Sequence, residues 1–244
     1  TGIFAGNPGG TVLTFNGSNS NYVESSTFTV IGSSMVYFNA DASSNTVTRS
    51  YMQATGVAVH IGDGINEIEY NTISQSTVVA TGAWAKGIRL SNVAYNNIIG
   101  NRITSVSPSP AQNGLGIYII DASSSNLISQ NIITAVNGDA VTIVLGIDNR
   151  VEFSTLTSQG YSGFVAWNTS GTVVTNSYIQ GSTSAVISGS TGTVIADSIL
   201  VATTTVNSGL WMRAGSVNLT LTSSTFQGGS QGAGIFIEGG NSGF

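Results

Sequence analysis

An eight-residue phrase, polar–x–Φ–x–x–(Asn/Ser)–x–Φ with Φ apolar, recurs nine times at spacings of 21 to 30 residues. It reads Asn21-Val23-Ser26-Phe28, then Asn45-Val47-Ser50-Met52, Asn66-Ile68-Asn71-Ile73, Asn96-Ile98-Asn101-Ile103 and Asn126-Ile128-Asn131-Ile133. It continues through Asn149-Val151, Thr172-Val174 and Thr193-Ile195 to Leu221-Ser224-Phe226, where Leu219 takes the first polar slot. A second phrase, small–Φ–x–Φ, follows most copies, as in Gly87-Ile88-Arg89-Leu90, Gly116-Ile117-Tyr118-Ile119 and Gly209-Leu210-Trp211-Met212. Both phrases alternate with period two, the period of a strand, and no segment carries a 3.6-residue stripe. A unit of about three short strands cannot bury its apolar side alone, but stacked units can. The repeat therefore predicts an all-β, right-handed, single-stranded parallel β-helix of about 9–10 coils, the hand following from the bias of parallel crossovers. We expect one β-helix domain across residues 1–244. Because the chain starts at Thr1 with no Met or leader, we expect it to be processed or a segment of something longer.

The recurring Asn also have a structural explanation. An amide in a stacked turn can bond both its own backbone and the turn above. Asn21, Asn45, Asn66, Asn96, Asn126 and Asn149 are expected to form such a ladder, not a catalytic set.

Composition excludes several functions. Apolar residues make up 41% of the chain, enough for a sizeable core, while charged residues are only 7%. A net charge of −5 with six Lys plus Arg argues against nucleic acid, whose binding depends on phosphate neutralisation. No apolar run is long enough to span a membrane as a helix. There is no Cys, hence no disulfide or thiolate metal site. Low charge and abundant Ser, Thr and Asn predict an extracellular or cell-surface protein.

The N-x-I-x-x-N-x-I and G-I-x-I phrases resemble the parallel β-helix repeat of the pectin-lyase-like superfamily over residues 12–240. That resemblance implies the fold, and a range of roles from polysaccharide lyases, pectinases and uronan epimerases to tailspikes and autotransporter passengers. The pectinase N-T-D, D-D, G-H-G and R-I-K set is absent, as is the epimerase D-P-H-D, and the one lysine, Lys86, has no acidic neighbour in sequence. In character the chain is closest to non-catalytic surface or passenger β-helices, and the missing motifs point away from an enzyme.

Two local features are candidate sites. In "HIGDGINEIE", His60, Asp63, Glu67 and Glu69 are expected to face outward round one corner. No cofactor is called for, calcium being the one ion that Asp63, Glu67 and Glu69 could hold. On the second-phrase strand the outward positions read Tyr118, Thr142, Val165, Ile187, Trp211 and Phe236. A neighbouring column carries Ile120, Val144, Trp167, Gly189, Arg213 and Glu238. An apolar band of this length marks a contact surface, for a protein partner, self-association or the faces of sugar rings. Long insertions at 74–86 and 104–113 are expected to flank it, with Trp84 either plugging the band, the favoured reading, or reaching a ligand. The first reading is a non-catalytic extracellular β-helix with a structural, adhesive or assembly role. The alternative is a polysaccharide-binding or polysaccharide-degrading protein, using a cleft between those loops and the strand bearing Arg89 and Tyr118.

Overall fold

The structure, a computed structural model, describes residues 10–32, 34–65, 68–110 and 114–243. They form a right-handed parallel β-solenoid with no α-helix. Every turn lays one strand on each of three sheets. Sheet I runs through nine strands from Tyr22–Glu24 to Thr220–Thr222, and sheet II through nine from Thr27–Val30 to Thr225–Gln227. Sheet III runs through ten, from Leu13–Asn16 to Ile235–Ile237. All pairings between their strands are parallel and in register, so like side chains stack into columns. Val47, Ile73, Ile98, Ile128, Val151, Val174 and Ile195 form the fully buried column of sheet I. Phe28, Met52, Val78, Ile103, Ile133, Leu156, Ile179 and Leu200 form that of sheet II.

The corners show why each aliphatic follows an Asn. The residue before each ladder position adopts φ > 0 (Ser44 58°, Tyr70 57°, Tyr95 54°, Ser125 53°, Asp148 52°), which turns the chain into sheet I. The next residue is the Asn. Its Oδ1 accepts both the backbone N–H and the side-chain N–H of the Asn one turn earlier, at 2.8–3.2 Å, from Asn21 through Asn45, Asn71, Asn96 and Asn126 to Asn149. A second ladder at the sheet I–II corner uses Ser26, Ser50, Ser76, Asn101, Asn131, Ser154, Ser177, Ser198 and Ser224, each backbone N–H donating to the side-chain oxygen of the next.

The third repeat needs correction. Asn71, not Asn66, is the rung between Asn45 and Asn96, and Ile73, not Ile68, stacks between Val47 and Ile98. Ile68 pairs with Val93 in a separate two-stranded sheet. Asn66 and Glu67 lie outside the described residues. The phrase is self-similar at a step of five residues, so a five-residue slip matches it equally well, and the stacking of neighbouring turns picks the register. The expected insertions shrink too. Residues Thr77–Thr81 are a strand of sheet II, because Val78 and Ala80 continue the inward alternation, leaving only a turn at 82–85. The second insertion starts inside the strand Arg102–Val106, and 111–113 lie outside the described residues. The small residue opening each second phrase is a packing requirement. A Cβ on Gly87 would overlap the Ile103 side chain and the Gly116 carbonyl oxygen.

Candidate functional site

The outer face of sheet III gathers chemistry that lies scattered in the sequence. Its register places Tyr37, His60, Arg89, Tyr118, Thr142, Val165, Val186, Trp211 and Phe236 in one column, one residue per turn. The first five positions are polar or ionisable and the last four apolar. At the polar end the Tyr37 ring stacks on His60 with centroids 5.0 Å apart. Lys86, next to this column, holds Nζ 5.7 Å from the Tyr118 ring centroid and donates to the Trp84 carbonyl at 3.1 Å. Asn39 lies two residues beyond Tyr37, on the same face.

Three polar atoms here are buried without a hydrogen-bond partner: Asn39 Oδ1, His60 Nε2 and Arg89 Nε. Buried polar groups are nearly always paired, so such a cluster marks a place where something else supplies the partner. Cations concentrate on the same face. Of the six Lys and Arg, Arg49 pairs with Glu24 and Arg150 with Glu152. Lys86, Arg89 and Arg213 all border the sheet III face, and none of them is ion-paired among the described residues.

Electrostatics sharpen the roles. Burial, and secondarily the Arg89 guanidinium, push the His60 imidazole down to about 4, against an upward pull from Asp63. His60 is therefore a neutral base at physiological pH. Burial raises the Tyr37 and Tyr118 phenols, keeping both protonated, and lowers the Lys86 ammonium with help from Arg89. Two turns on, Asp139 accepts from Ser162 N–H at 2.9 Å and from the Thr142 hydroxyl at 3.2 Å. Burial still raises its pKa. It lines a cleft of about 350 Å³ with Tyr118, Thr142, Trp167, Trp211 and Arg213.

The depressed His60 has a consequence for stability. Between about pH 6.5 and 4 the unfolded chain protonates this residue and the folded chain does not, so stability falls as pH drops through that window and is fully retained above it. The full loss is on the order of 3 kcal/mol. Denaturant midpoints at pH 7 and pH 4 should differ less in His60→Gln than in the parent; an equal difference would mean that His60 titrates normally.

The sequence-derived candidates fare unevenly. Tyr118, Val165, Trp211 and Phe236 share the outward column, and Trp167 (53% exposed) lies on the adjacent one. Ile187 does not: it is fully buried between Ala166 and Met212, and Val186 takes the outward position. Taking Ile187 as outward places that strand one residue out of register, and a slip of one swaps the two faces. Ser184 is the small residue there. Likewise Ser188, not Gly189, follows Trp167. Trp84 adopts φ 59° and is 57% exposed, so it projects from its turn and does not plug the band. The expected carboxylate corner is described only in part, since Glu67 lies outside the described residues. His60 faces Arg89, while Asp63 accepts from the Ala40 and Ile65 amides at 3.2 and 2.8 Å. Among the described residues no three His, Asp or Glu side chains are placed to hold a metal.

Residues 86–244 match the family model of a right-handed β-helix region, and residues 4–143 match that of the periplasmic copper-binding protein NosD. The chain belongs to the right-handed β-helix family. Residues 4–143 also fall in the NosD family. No curated protein matches the sequence. Among solved structures, this β-helix is similar to the Dettilon tailspike protein (12% identity, TM-score 0.64, 97% of this chain and 61% of that one). It is also similar to the A-module of Azotobacter vinelandii mannuronan C-5 epimerase AlgE4 (11%, TM-score 0.62, 99% and 88%). A third is the periplasmic alginate epimerase AlgG (12%, TM-score 0.50, 86% and 59%). At these identities the likeness is one of fold.

The copper in the NosD description can be tested against the donors present. Copper takes imidazole, thiolate or thioether ligands. The chain has no Cys, its one His sits beside a guanidinium, and Met35, Met52 and Met212 are sealed in the core. These residues do not fit a copper site.

Proposed function

We propose that this β-helix acts on acidic polysaccharide in the periplasm or outside the cell, with the glycan laid along the outer face of sheet III. The observation that carries this reading is the set of cations on that face, Lys86, Arg89 and Arg213, which have no ion-pair partner among the described residues of a chain of net charge −5, beside His60 Nε2 and Arg89 Nε, which find no hydrogen-bond partner among those residues. A uronate carboxylate is the ligand that would pair the cations, leaving His60 Nε2 as the bare nitrogen that takes a proton. The fold likeness to two alginate-directed epimerases supports the same class.

The cluster suits proton abstraction next to a carboxylate. Arg89 and Lys86 would neutralise the uronate and so acidify its C5–H, while neutral His60 would accept that proton. Protonated Tyr37 or Tyr118 would return a proton, either to C5 from the other face or to the glycosidic oxygen as the C4–O bond breaks and the C4=C5 double bond forms. The test is to incubate the protein with alginate, polygalacturonate and a neutral glucan, following unsaturated uronate by absorbance and C5 inversion by NMR. Salt-sensitive binding of a polyuronate with turnover supports the reading; no preference for polyuronate over neutral glucan rejects it. A non-catalytic adhesive or assembly role is favoured by one observation, the outward Val165, Val186, Trp167 and Phe236, and binding without turnover would favour it.

A further inference from the structure

Beyond the cationic end, the loops 203–209 and 228–234 wall a second pocket of about 390 Å³, which shares Trp211 with the cleft that holds Asp139 and Arg213. Its lining includes Trp211, Phe236, Asn207, Gln231, Ser208 and Thr183, and no ionisable side chain. That volume lies within the range of small-molecule sites, about 300–1,000 Å³. Trp211 is held at two points. Its Nε1–H donates to Glu238 Oε1 at 3.1 Å, and the Arg213 guanidinium lies 5.1 Å from its ring. Phe236 stands at 57° to it with centroids 6.4 Å apart, so two aromatic walls meet at an angle. The Asn207 and Gln231 side-chain amides bond to no described residue, leaving donors and acceptors free at the rim.

We propose that this pocket binds one uncharged pyranose residue. Aromatic faces take the C–H surfaces of a sugar ring, amides and hydroxyls take its O–H groups, and the absence of any ionised lining group selects against a uronate. Fixing Trp211 beforehand lowers the ordering cost of binding. The pocket lies five turns beyond Arg89 along one column, so a single glycan chain passes over both. Resting on the acidic-polysaccharide reading for its other half, this makes the preferred ligand a heteropolysaccharide with neutral and acidic residues, in contrast to a pure polyuronate.

The experiment is titration of the intact protein with cellohexaose, maltohexaose and mannohexaose, read by tryptophan fluorescence and calorimetry. At least one is expected to bind, with affinity unchanged by Arg89→Gln and by salt. Phe236→Ala should weaken that binding about tenfold or more, as should Asn207→Ala with Gln231→Ala, which removes only rim amides and so guards against misfolding. Binding of none of the three, or binding that both variants leave intact, overturns the proposal. Absence of polyuronate binding in a parallel titration with alginate and polygalacturonate, with a neutral hexasaccharide still bound, would reject the acidic reading and leave the pocket standing.

Discussion

Asn126→Ala is expected to lower the unfolding free energy by about 3–6 kcal/mol, more than most single truncations in a domain of this size. The fully buried Asn126 side chain accepts from Asn96 N and Nδ2 at 2.9 and 3.2 Å, and donates to Val93 O and Asn149 Oδ1 at 3.1 and 3.0 Å. Truncation strands those partners where no water reaches them, at about 1–3 kcal/mol for each unsatisfied group, offset in part by relaxation. Asn126→Asp should be worse, since an acceptor-only, charged group would face Val93 O and Asn149 Oδ1. Asn21→Ala is the control, because the exposed first rung loses bonds that water can replace, at under about 1 kcal/mol. Denaturant melts, with hydrogen exchange at the Asn96 amide, would check this; equal costs at Asn21 and Asn126 would refute a cooperative buried ladder. A hydrophobic truncation such as Ile128→Ala, at about 2–5 kcal/mol, gives the scale.

Arg89→Gln is expected to lower turnover of acidic polysaccharide by about 10²–10³-fold, the usual cost of losing one preorganised donor to developing negative charge. Gln keeps some length and hydrogen-bonding capacity while removing the charge, so the melting temperature should hardly move. Arg89 borders His60 on one turn and Tyr118 on the next, so its charge reaches every group proposed to move a proton. Its removal should also let the His60 pKa rise, because Arg89 is one of the two influences that lower it. The acid limb of the pH–rate profile would then shift upward, a change that mere loss of packing would not produce. Arg102→Gln, exposed on sheet II, is the matched control. A variant at Arg89 that keeps full turnover and the parental pH limb would place the reaction elsewhere.

Much of the fold was legible because a solenoid is nearly one-dimensional. Each turn must repeat the burial pattern of its neighbour, so Val47, Ile98, Ile128 and Val151 could be aligned by eye. Legibility failed where the pattern matched itself under a shift. Asn66-Ile68 and Asn71-Ile73 are interchangeable as text, as are the two readings of Ser184-Ala185-Val186-Ile187. Only the hydrogen bonds of adjacent turns distinguish them. The site was less legible still. Arg89 and Tyr118 could be placed on one strand face, but Tyr37 and Asn39 carried no signal, and His60 was read with the carboxylates beside it in sequence.

The local chemistry of the chain determined the architecture: alternating aliphatics demanded strands, and recurrent Asn and Ser at the bends demanded stacking. Tertiary structure decided which side chains share a face. Residues about 25 apart in sequence lie one strand spacing apart in space, roughly 4.8 Å. The meeting of His60 with Arg89, the depressed imidazole and the pocket behind Trp211 therefore depend on turn lengths and register. Those are set by cooperative pairing between turns, a quantity that no single repeat contains.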